Sequence, residues 1–182
     1  MSQSTPSQST QQPARRVQLR RATLDDAALI AKMHAQSWVS TYRGMLPDAF
    51  LDLEVYEDRE SYWHAQVCVL ETGAGNLLIA ELDGQPIGFV CMLAPDDNGS
   101  VLIDNLHAIP GYKGAGAGTA MLDAARQWAR TRGAGSMYLY VLETNLAAIG
   151  FYEARGWRLA GREEDEMGGI EIMVLRYVFP LD

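Results

Sequence analysis

The sequence has little that would suggest a secreted, membrane-spanning or nucleic-acid-binding protein. Two cysteines among 182 residues do not make a disulfide framework. No apolar run approaches the about 20 residues that a membrane-spanning helix needs. Acidic residues outnumber basic ones by 23 to 15, and the resulting net charge of −8 argues against a nucleic-acid surface. We therefore expect no membrane or nucleic-acid partner, whereas an amine substrate is compatible with this charge.

The first fifteen residues differ in composition from the rest. They read MSQSTPSQSTQQPAR, without the apolar centre of a signal peptide. We expect a disordered tail over residues 1–15, a single domain over 16–182 and a cytoplasmic location. Cys68 and Cys91 both stand in apolar stretches, and we expect both to be small buried hydrophobes.

Hydrophobic periodicity and turn residues predict a mixed α/β sheet flanked by helices. The predicted order is β-α-α-β-β-β-α-β-α-β-β. The Asp83-Gly84 pair is a strong hairpin signal between two of the strands. The predicted strands cover residues 17–22, 77–81, 86–94, 100–109, 137–142, 157–160 and 170–178, and the predicted helices cover 23–39, 47–53 with 56–70, 116–132 and 145–155.

A glycine-dense turn precedes the third predicted helix. Residues 106–125 read LHAIPGYKGAGAGTAMLDAA, in which Gly114, Gly116 and Gly118 leave the backbone without Cβ atoms where the helix begins. The first amides of a helix lack partners and the macrodipole is positive there, so this turn is suited to an anion. We expect a phosphate-bearing ligand on it.

Three phosphate loops can be compared with this turn. A mononucleotide P-loop requires Gly-Lys-Ser/Thr, but Gly116 is followed by Ala117 and Gly118. A dinucleotide loop requires Gly-x-Gly-x-x-Gly and an acidic residue about twenty positions later, and neither is present. The third pattern, a basic residue or Gln followed by x-x-Gly-x-Gly/Ala, fits Lys113 and the glycines after it.

Three segments together carry a resemblance to a known family. Besides the glycine turn, residues 145–157 read NLAAIGFYEARGW, which is similar to a family segment Asn-x-x-Ala-x-x-Phe-Tyr-Glu-x-x-Gly-aromatic. Residues 19–27, LRRATLDDA, are similar to the opening strand and helix of many members. The chain thus resembles the GCN5-related N-acetyltransferases (GNAT) over roughly residues 17–179. Lys113 departs from the more usual Arg or Gln, although a lysine still serves phosphate as a point charge.

The resemblance implies a site for acetyl-CoA. In the family, the strand before the glycine turn and the next strand diverge, and the pantetheine arm enters between them like an added strand. A backbone N–H near Leu106 is implied to face the thioester carbonyl and stabilise its developing charge. No metal is implied. The implied contacts are the backbone of Leu106, His107 and Ala108, the turn residues Lys113, Gly114, Ala115, Gly116, Ala117, Gly118 and Thr119, and the residues Asn145, Ala148, Phe151 and Tyr152.

Asn145 and Tyr152 each have two interpretations. Asn145 suits the N-cap of the next helix as well as the implied hydrogen bond to the pantetheine arm, and both can hold. Tyr152 occupies the position of a general acid in many family members, since a phenol with a pKa of about 10 can protonate a thiolate of pKa about 8.5. The alternative is an aromatic side chain that only packs beside Phe151.

The general base is open between several residues. An alkylamine with a pKa of about 10.4 costs on the order of 4–5 kcal/mol to deprotonate at pH 7, so a base is expected. Asp104 is implied by analogy, although it also suits a bulge or a solvated face. Strand alternation places His107 on the opposite face from Asp104, Glu143 ends the neighbouring strand, and His34 is expected to be structural.

The acceptor is implied to bind between the first two helices. Residues 38–47, WVSTYRGMLP, lie in this region, where Trp38 and Tyr42 are expected to stack on a cationic amine or else to pack against the sheet. The leading hypothesis is acetyl transfer from acetyl-CoA to a primary amine of a small molecule or peptide, by direct attack in a ternary complex. The alternatives are a non-catalytic acyl-CoA-binding module and a transferase for a longer acyl-CoA. The oligomeric state is open, although the resemblance is compatible with a homodimer through the last strands.

Overall fold

The computed structural model describes residues 16–181, so the predicted tail over residues 1–15 lies outside the described residues. The described chain forms one seven-stranded sheet in the order β1-β2-β3-β4-β5-β7-β6. The element order predicted from the sequence is confirmed. The strands are β1 Val17–Arg21, β2 Gly75–Leu82, β3 Gln85–Leu93, β4 Ser100–Ala108, β5 Ser136–Leu142, β6 Arg158–Met167 and β7 Ile170–Pro180, and the helices are α1 Ala27–Thr41, α2 Val55–Val69, α3 Ala117–Thr131 and α4 Leu146–Glu153.

Local sequence signals set several of these boundaries. The β2–β3 hairpin turns at Asp83 and Gly84, which both have positive φ (53° and 76°), as a two-residue turn with right-handed twist requires. At the start of α1, the Asp26 carboxylate accepts a 2.9 Å hydrogen bond from the Thr23 amide, after which a single 3₁₀ turn leads into the helix. The predicted hairpin is confirmed. The α-helix predicted from residue 23 begins at Ala27, because residues 24–26 form the 3₁₀ turn that Thr23 caps.

The helices cover the two faces of the sheet. Helices α1 and α2 pack on one face, where Trp63 of α2 and Phe89 of β3 are fully buried. Helix α3 covers the other face through Met121, Leu122 and Ala125, as its periodicity predicts. A π-helical turn, Phe50–Glu54, leads directly into α2.

Strands β4 and β5 run parallel but remain paired over only three residue pairs, from Ser100–Ser136 to Leu102–Tyr138. Beyond Leu102, β4 continues for six residues along β3, whereas β5 continues along β7. Within residues 16–181 the facing edges of the two strands are therefore unpaired from Ile103 onward, and a cleft opens between them.

The last hairpin is longer than predicted. The sequence indicates a short strand at 157–160, but β6 runs over Arg158–Met167. Its residues are mostly exposed and include Glu163, Glu164 and Asp165. Because these residues have low strand propensity, the sequence pattern did not predict the full length of β6. Such charges on an edge strand disfavour edge-to-edge aggregation.

The two cysteines have different environments. Cys91 in β3 is buried, as expected, but Cys68 is exposed, so the expectation that both are buried was wrong for Cys68. Cys68 lies on the outer face of α2 next to the exposed Val69, whereas Val67 on its other side is buried. No described helix combines the length and apolar character needed to cross a membrane.

The close approach of β3 to β4 generates a stability prediction. A Cβ added at Gly88 would lie 2.4 Å from the carbonyl oxygen of His107, which belongs to the strand that lines the cleft. We expect Gly88→Ala to lower the free energy of unfolding by about 1–3 kcal/mol, because the backbone must shift. Urea denaturation measures the change. The control is Gly135→Ala, where an added Cβ meets nothing within 4 Å. Equal stability of the two variants would contradict the prediction.

Candidate active site

The cleft between β4 and β5 has a volume of about 1270 Å³. Pockets for one drug-sized ligand usually measure roughly 300–1,000 Å³, so this cleft has room for two substrates. Helices α1 and α2, the end of α4 and the β6–β7 turn complete its walls. The residues predicted to contact acetyl-CoA that line it are Leu106, His107, Ala108, Lys113, Gly114, Gly118, Asn145, Ala148, Phe151 and Tyr152.

The glycine turn reaches the cleft at the N-terminus of α3. Gly114 and Gly116 have φ of 90° and 87°, which the left-handed region allows to glycine at low cost, and Gly116 caps the helix. Because the first intrahelical bond joins the Ala120 amide to the Gly116 carbonyl, the amides of Ala117, Gly118 and Thr119 have no intrahelical partner. These three amides and the positive end of the helix dipole form an anion-binding arrangement.

Two details of the turn differ from the sequence interpretation. The Ala115 amide donates to the Tyr112 carbonyl at 3.1 Å, so it is engaged within the turn and is not available to phosphate. Gly118 is required for packing, because an added Cβ would lie 2.8 Å from the Phe151 ring. Ala115, Gly116, Ala117 and Thr119 lie just outside the cleft lining.

Two basic side chains flank this helix end. Lys113 donates from Nζ to Thr41 Oγ1 at 3.0 Å and so connects the turn to α1. The Arg155 guanidinium lies 3.8 Å from the centre of the Phe151 ring and donates to Thr119 Oγ1 at 2.9 Å. Sequence reasoning missed Arg155. Its position two residues before Trp157, in the segment that resembles the family, was the available signal.

Tyr152, Asn145 and Tyr42 meet at the floor of the cleft. The Asn145 Oδ1 accepts from the Ala148 amide at 3.2 Å, which confirms its N-cap role. Tyr152 is 8% exposed, and burial, with a smaller effect of Tyr42, raises the pKa of its phenol. Burial also raises the pKa of Tyr42 to about 12, although an Asn145 contact opposes this. Tyr42 thus lies beside the residues predicted to contact the coenzyme.

Asp104 lies on a β-bulge in β4. The register of β3 and β4 shifts between Cys91 and Met92, so that Asp104 is the extra residue. Its carboxylate accepts from the Tyr62 hydroxyl at 2.9 Å and from Asn105 Nδ2 at 2.6 Å. Both partners donate to Oδ2, and the carboxylate lies at the cleft wall.

The bulge also corrects the predicted direction of His107. Strand alternation places Asp104 and His107 on opposite faces, but α2 contacts Asp104 through Tyr62 and α1 contacts His107 through Ser37. The two side chains therefore lie on the same face of the sheet, because the extra residue reverses the alternation.

The other candidate bases are held in structural contacts. The His107 Nδ1 lies 3.0 Å from Ser37 Oγ, and burial lowers the pKa of His107 to about 3, with smaller effects of Arg59 and Lys113. A neutral imidazole of such low basicity accepts protons poorly. His34 is fully buried and accepts from Trp63 Nε1 at 2.9 Å, in agreement with a structural role.

Glu143 is an ion-pair partner outside the cleft lining. Its two carboxylate oxygens each accept from the Arg162 guanidinium at 2.8 Å. The Arg162 hydrogen bonds lower the pKa of this carboxyl. Of the carboxylates considered as base, Asp104 alone lines the cleft.

Trp38 lines the cleft on the side of α1 and α2. Its indole is 6% exposed, and the guanidinium carbon of Arg59 lies 4.4 Å from its ring centre. The same guanidinium lies 4.9 Å from the Tyr62 ring. Arg59 therefore occupies a stacking position on Trp38, which the sequence analysis assigned to a substrate amine.

Known proteins are similar to this chain in sequence and in fold. A profile of the acetyltransferase (GNAT) family matches residues 35–157. The chain is 30% identical to the probable N-acetyltransferase Rv2775 of Mycobacterium tuberculosis over 80% of this chain and 82% of the relative. A GCN5-related N-acetyltransferase structure from Rhodopseudomonas palustris superposes with a TM-score of 0.75 at 25% identity, covering 90% of this chain and 95% of that one.

A further solved structure was obtained with the coenzyme. The PaiA N-acetyltransferase of Thermoplasma acidophilum, in complex with coenzyme A, superposes with a TM-score of 0.73 at 18% identity over 88% of this chain and 98% of that chain. Because the profile match covers more than half of the sequence, and the diverging strands and glycine turn occur where the resemblance implies them, the chain belongs to the GNAT family of acetyltransferases.

Proposed function

We propose that this protein transfers an acetyl group from acetyl-CoA to a primary amine of a small molecule or peptide, by direct attack while both substrates are bound. The observation that carries the proposal is the early separation of β4 from β5, next to the N-terminus of α3. The unpaired strand edge can pair with an amide-bearing arm in the cleft, and the unpaired helix amides beside the cleft can bind a phosphate.

The residues of the cleft fit acetyl-CoA. The β4 backbone at Leu106, His107 and Ala108 pairs with the pantetheine arm, and a backbone N–H near Leu106 faces the thioester oxygen. The amides of residues 117–119 hold the pyrophosphate. Lys113 and Arg155 flank that position and add positive charge on either side of it.

Asp104 receives the amine proton in this mechanism. The Tyr62 hydroxyl and Asn105 amide fix the carboxylate at the cleft wall by donating to it. The free amine then attacks the thioester carbon, so the C–N bond forms, and the oxygen's negative charge is stabilised by the β4 amide. His107 and Glu143 are less suited, because one is a weak base and the other is held by Arg162.

Tyr152 protonates the departing sulfur. As the C–S bond breaks, the thiolate takes the phenolic proton of Tyr152, and the nitrogen's remaining surplus proton restores the phenol. Burial raises the pKa of this phenol, so it stays protonated throughout the neutral range. Tyr42 and Asn145 fix its surroundings.

Direct attack also agrees with the positions of the cysteines. Neither Cys68 on the surface of α2 nor Cys91 inside β3 lines the cleft, and burial raises the pKa of Cys91. A covalent acetyl-cysteine route thus has no placed nucleophile in residues 16–181. The non-catalytic alternative is not favoured, since Tyr152 and Asn145 both line the cleft. The homodimer and the cytoplasmic location stay predictions.

Acetyl-CoA binding is the first test. We expect millimolar acetyl-CoA to raise the melting temperature, because a ligand at 100 times its Kd stabilises the folded state by about 2.7 kcal/mol. Gly116→Ala should weaken binding roughly tenfold, since it strains the left-handed cap that orients the first amides of α3, a strain of about 1–2 kcal/mol. Thermal denaturation measures the shift in melting temperature, and isothermal titration measures the change in affinity.

The matched control is Gly133→Ala at the opposite end of α3. Gly133 also has positive φ (71°) and open space around an added Cβ, so it suffers a similar strain far from the proposed phosphate. Equal loss of acetyl-CoA affinity in both variants would show that strain alone explains the effect of Gly116→Ala. If acetyl-CoA does not change the melting temperature of the unaltered protein, the proposed function is refuted.

Removal of the Tyr152 hydroxyl tests the general acid. We expect Tyr152→Phe to lower kcat by about 10²–10⁴ while acetyl-CoA affinity changes little, because only the departing sulfur uses the proton. Release of free thiol from acetyl-CoA, measured against a panel of amines, gives kcat. The control is Tyr56→Phe, whose ring is 49% exposed on α2 and outside the cleft lining. Full activity of Tyr152→Phe would remove Tyr152 from the mechanism.

The pH dependence of an Asp104 variant tests the base. Asp104→Asn keeps the size and can still accept hydrogen bonds, but it cannot take a proton. We expect its kcat/KM to be lowest relative to the unaltered enzyme near pH 7 and to recover as the pH approaches the amine's pKa of about 10.4, where free amine is abundant. Asp123→Asn, on the exposed side of α3, is the control. A deficit that is constant with pH would assign Asp104 a binding role only.

A further inference from the structure

Arg59 is an unexpected cation at the acceptor end of the cleft. Among the described residues that line the cleft, it is the only arginine, and Lys113 lies apart on the glycine turn. Its side chain is only 15% exposed. A nearly buried guanidinium inside the proposed amine site would repel an ammonium group, so amine binding does not explain it.

The guanidinium is held in a fixed plane. It lies 4.4 Å from the Trp38 ring centre and 4.9 Å from the Tyr62 ring centre. Asp58 accepts from its Nε at 2.8 Å and also contacts Nη2. Within the described part of the chain Nη1 has no hydrogen-bond partner. Asp58 is 42% exposed, so water weakens its ion pair with Arg59. The Arg59 guanidinium therefore keeps N–H donors and positive charge for a ligand.

A second donor beside Arg59 also lacks a partner. The Nε1 of Trp38 is buried, and no described residue accepts a hydrogen bond from it. The Trp38 side chain is only 6% exposed, and it lines the same cleft. A buried N–H without an acceptor is costly, so a ligand oxygen at this position would be favoured. The indole N–H and the guanidinium together match a carboxylate.

Arg59 and the proposed base, Asp104, are placed to bind the two charged groups of a small zwitterion. Tyr62 connects the two groups, because its hydroxyl donates to Asp104 and its ring face lies against Arg59. Opposite charges are thus placed one tyrosine side chain apart. Exposed carboxylates at the cleft mouth, from Glu54, Asp165 and Glu166, would attract the ammonium group of an entering acceptor.

We infer that Arg59 and the Trp38 indole N–H bind a carboxylate of the acceptor, and that the acceptor is a free amino acid. This inference rests on the proposed acetyl transfer, and it adds the substrate class. The amine faces Asp104 and the thioester, whereas the carboxylate accepts from Arg59 Nη1 and Trp38 Nε1. The reaction yields an N-acetyl amino acid and free coenzyme A.

The test compares amino acids with the amines that lack only the carboxylate. The pairs are phenylalanine with phenethylamine, lysine with cadaverine, and methionine with 3-(methylthio)propylamine. Free-thiol release from acetyl-CoA gives kcat/KM for each. We expect a preference for the amino acid of roughly 10- to 100-fold, the range for hydrogen bonds to a charged group. A preference for the decarboxylated amine in all pairs would overturn the inference.

Variants of Arg59 assign the preference to this side chain. In Arg59→Met the ratio of the two kcat/KM values should fall by about the same 10- to 100-fold, and Arg59→Lys should retain part of it, because charge remains but the planar fork is lost. Arg130→Met, on the exposed face of α3, should leave the ratio unchanged. An unchanged ratio in Arg59→Met would overturn the inference, whatever its overall activity.

A binding measurement separates this inference from the proposed function. Isothermal titration of the protein with coenzyme A present compares N-acetylphenylalanine with N-acetylphenethylamine. Tighter binding of the carboxylate, lost in Arg59→Met, supports the inference independently of turnover. If acetyl-CoA itself does not bind, the proposed function fails, and this inference fails with it. If acetyl-CoA binds and amines are acetylated without any carboxylate preference, only the inference fails.

Discussion

The early end of the β4–β5 pairing is the constraint on which the rest of the site depends. Three residue pairs hold the two parallel strands together, after which each strand follows a different antiparallel partner. The unpaired edge of β4 leaves backbone donors and acceptors without strand partners, which in a protein interior is costly. A ligand that carries amides can form hydrogen bonds with these groups, and its binding would offset the free-energy cost of leaving them unpaired.

The other parts of the site are arranged around this gap. The glycine turn leads directly from the unpaired strand to α3, so the free helix amides lie next to the cleft, and Gly118 lines it. The bulge at Asp104 brings its carboxylate to the helix face that also holds Tyr62 and His107. The low-dielectric surroundings keep Tyr152 protonated and His107 neutral, since burial disfavours the charged form of both.

Much of the fold was predictable because its signals are local. The Asp83-Gly84 turn, the Thr23 cap of the 3₁₀ turn before α1 and the periodic face of α3 each depend on neighbours within a few residues. The glycine turn was likewise recognisable, since positive φ at Gly114 and Gly116 is a property of the residue itself. Strand β6 was underestimated, because its charged residues have low strand propensity and its pairing with β7 stabilises it.

The sequence by itself determined the order of elements, the glycine-rich start of α3 with its positive φ angles, and the identity of Tyr152 and Asn145 as residues of one motif, because short-range geometry decides these features. Only the tertiary structure decided the bulge that turns Asp104 and His107 to one face, the Gly118–Phe151 contact and the stack of Arg59 on Trp38. These depend on strand register and on side chains far apart in the chain, and a shift of one residue in register reverses which face a side chain occupies.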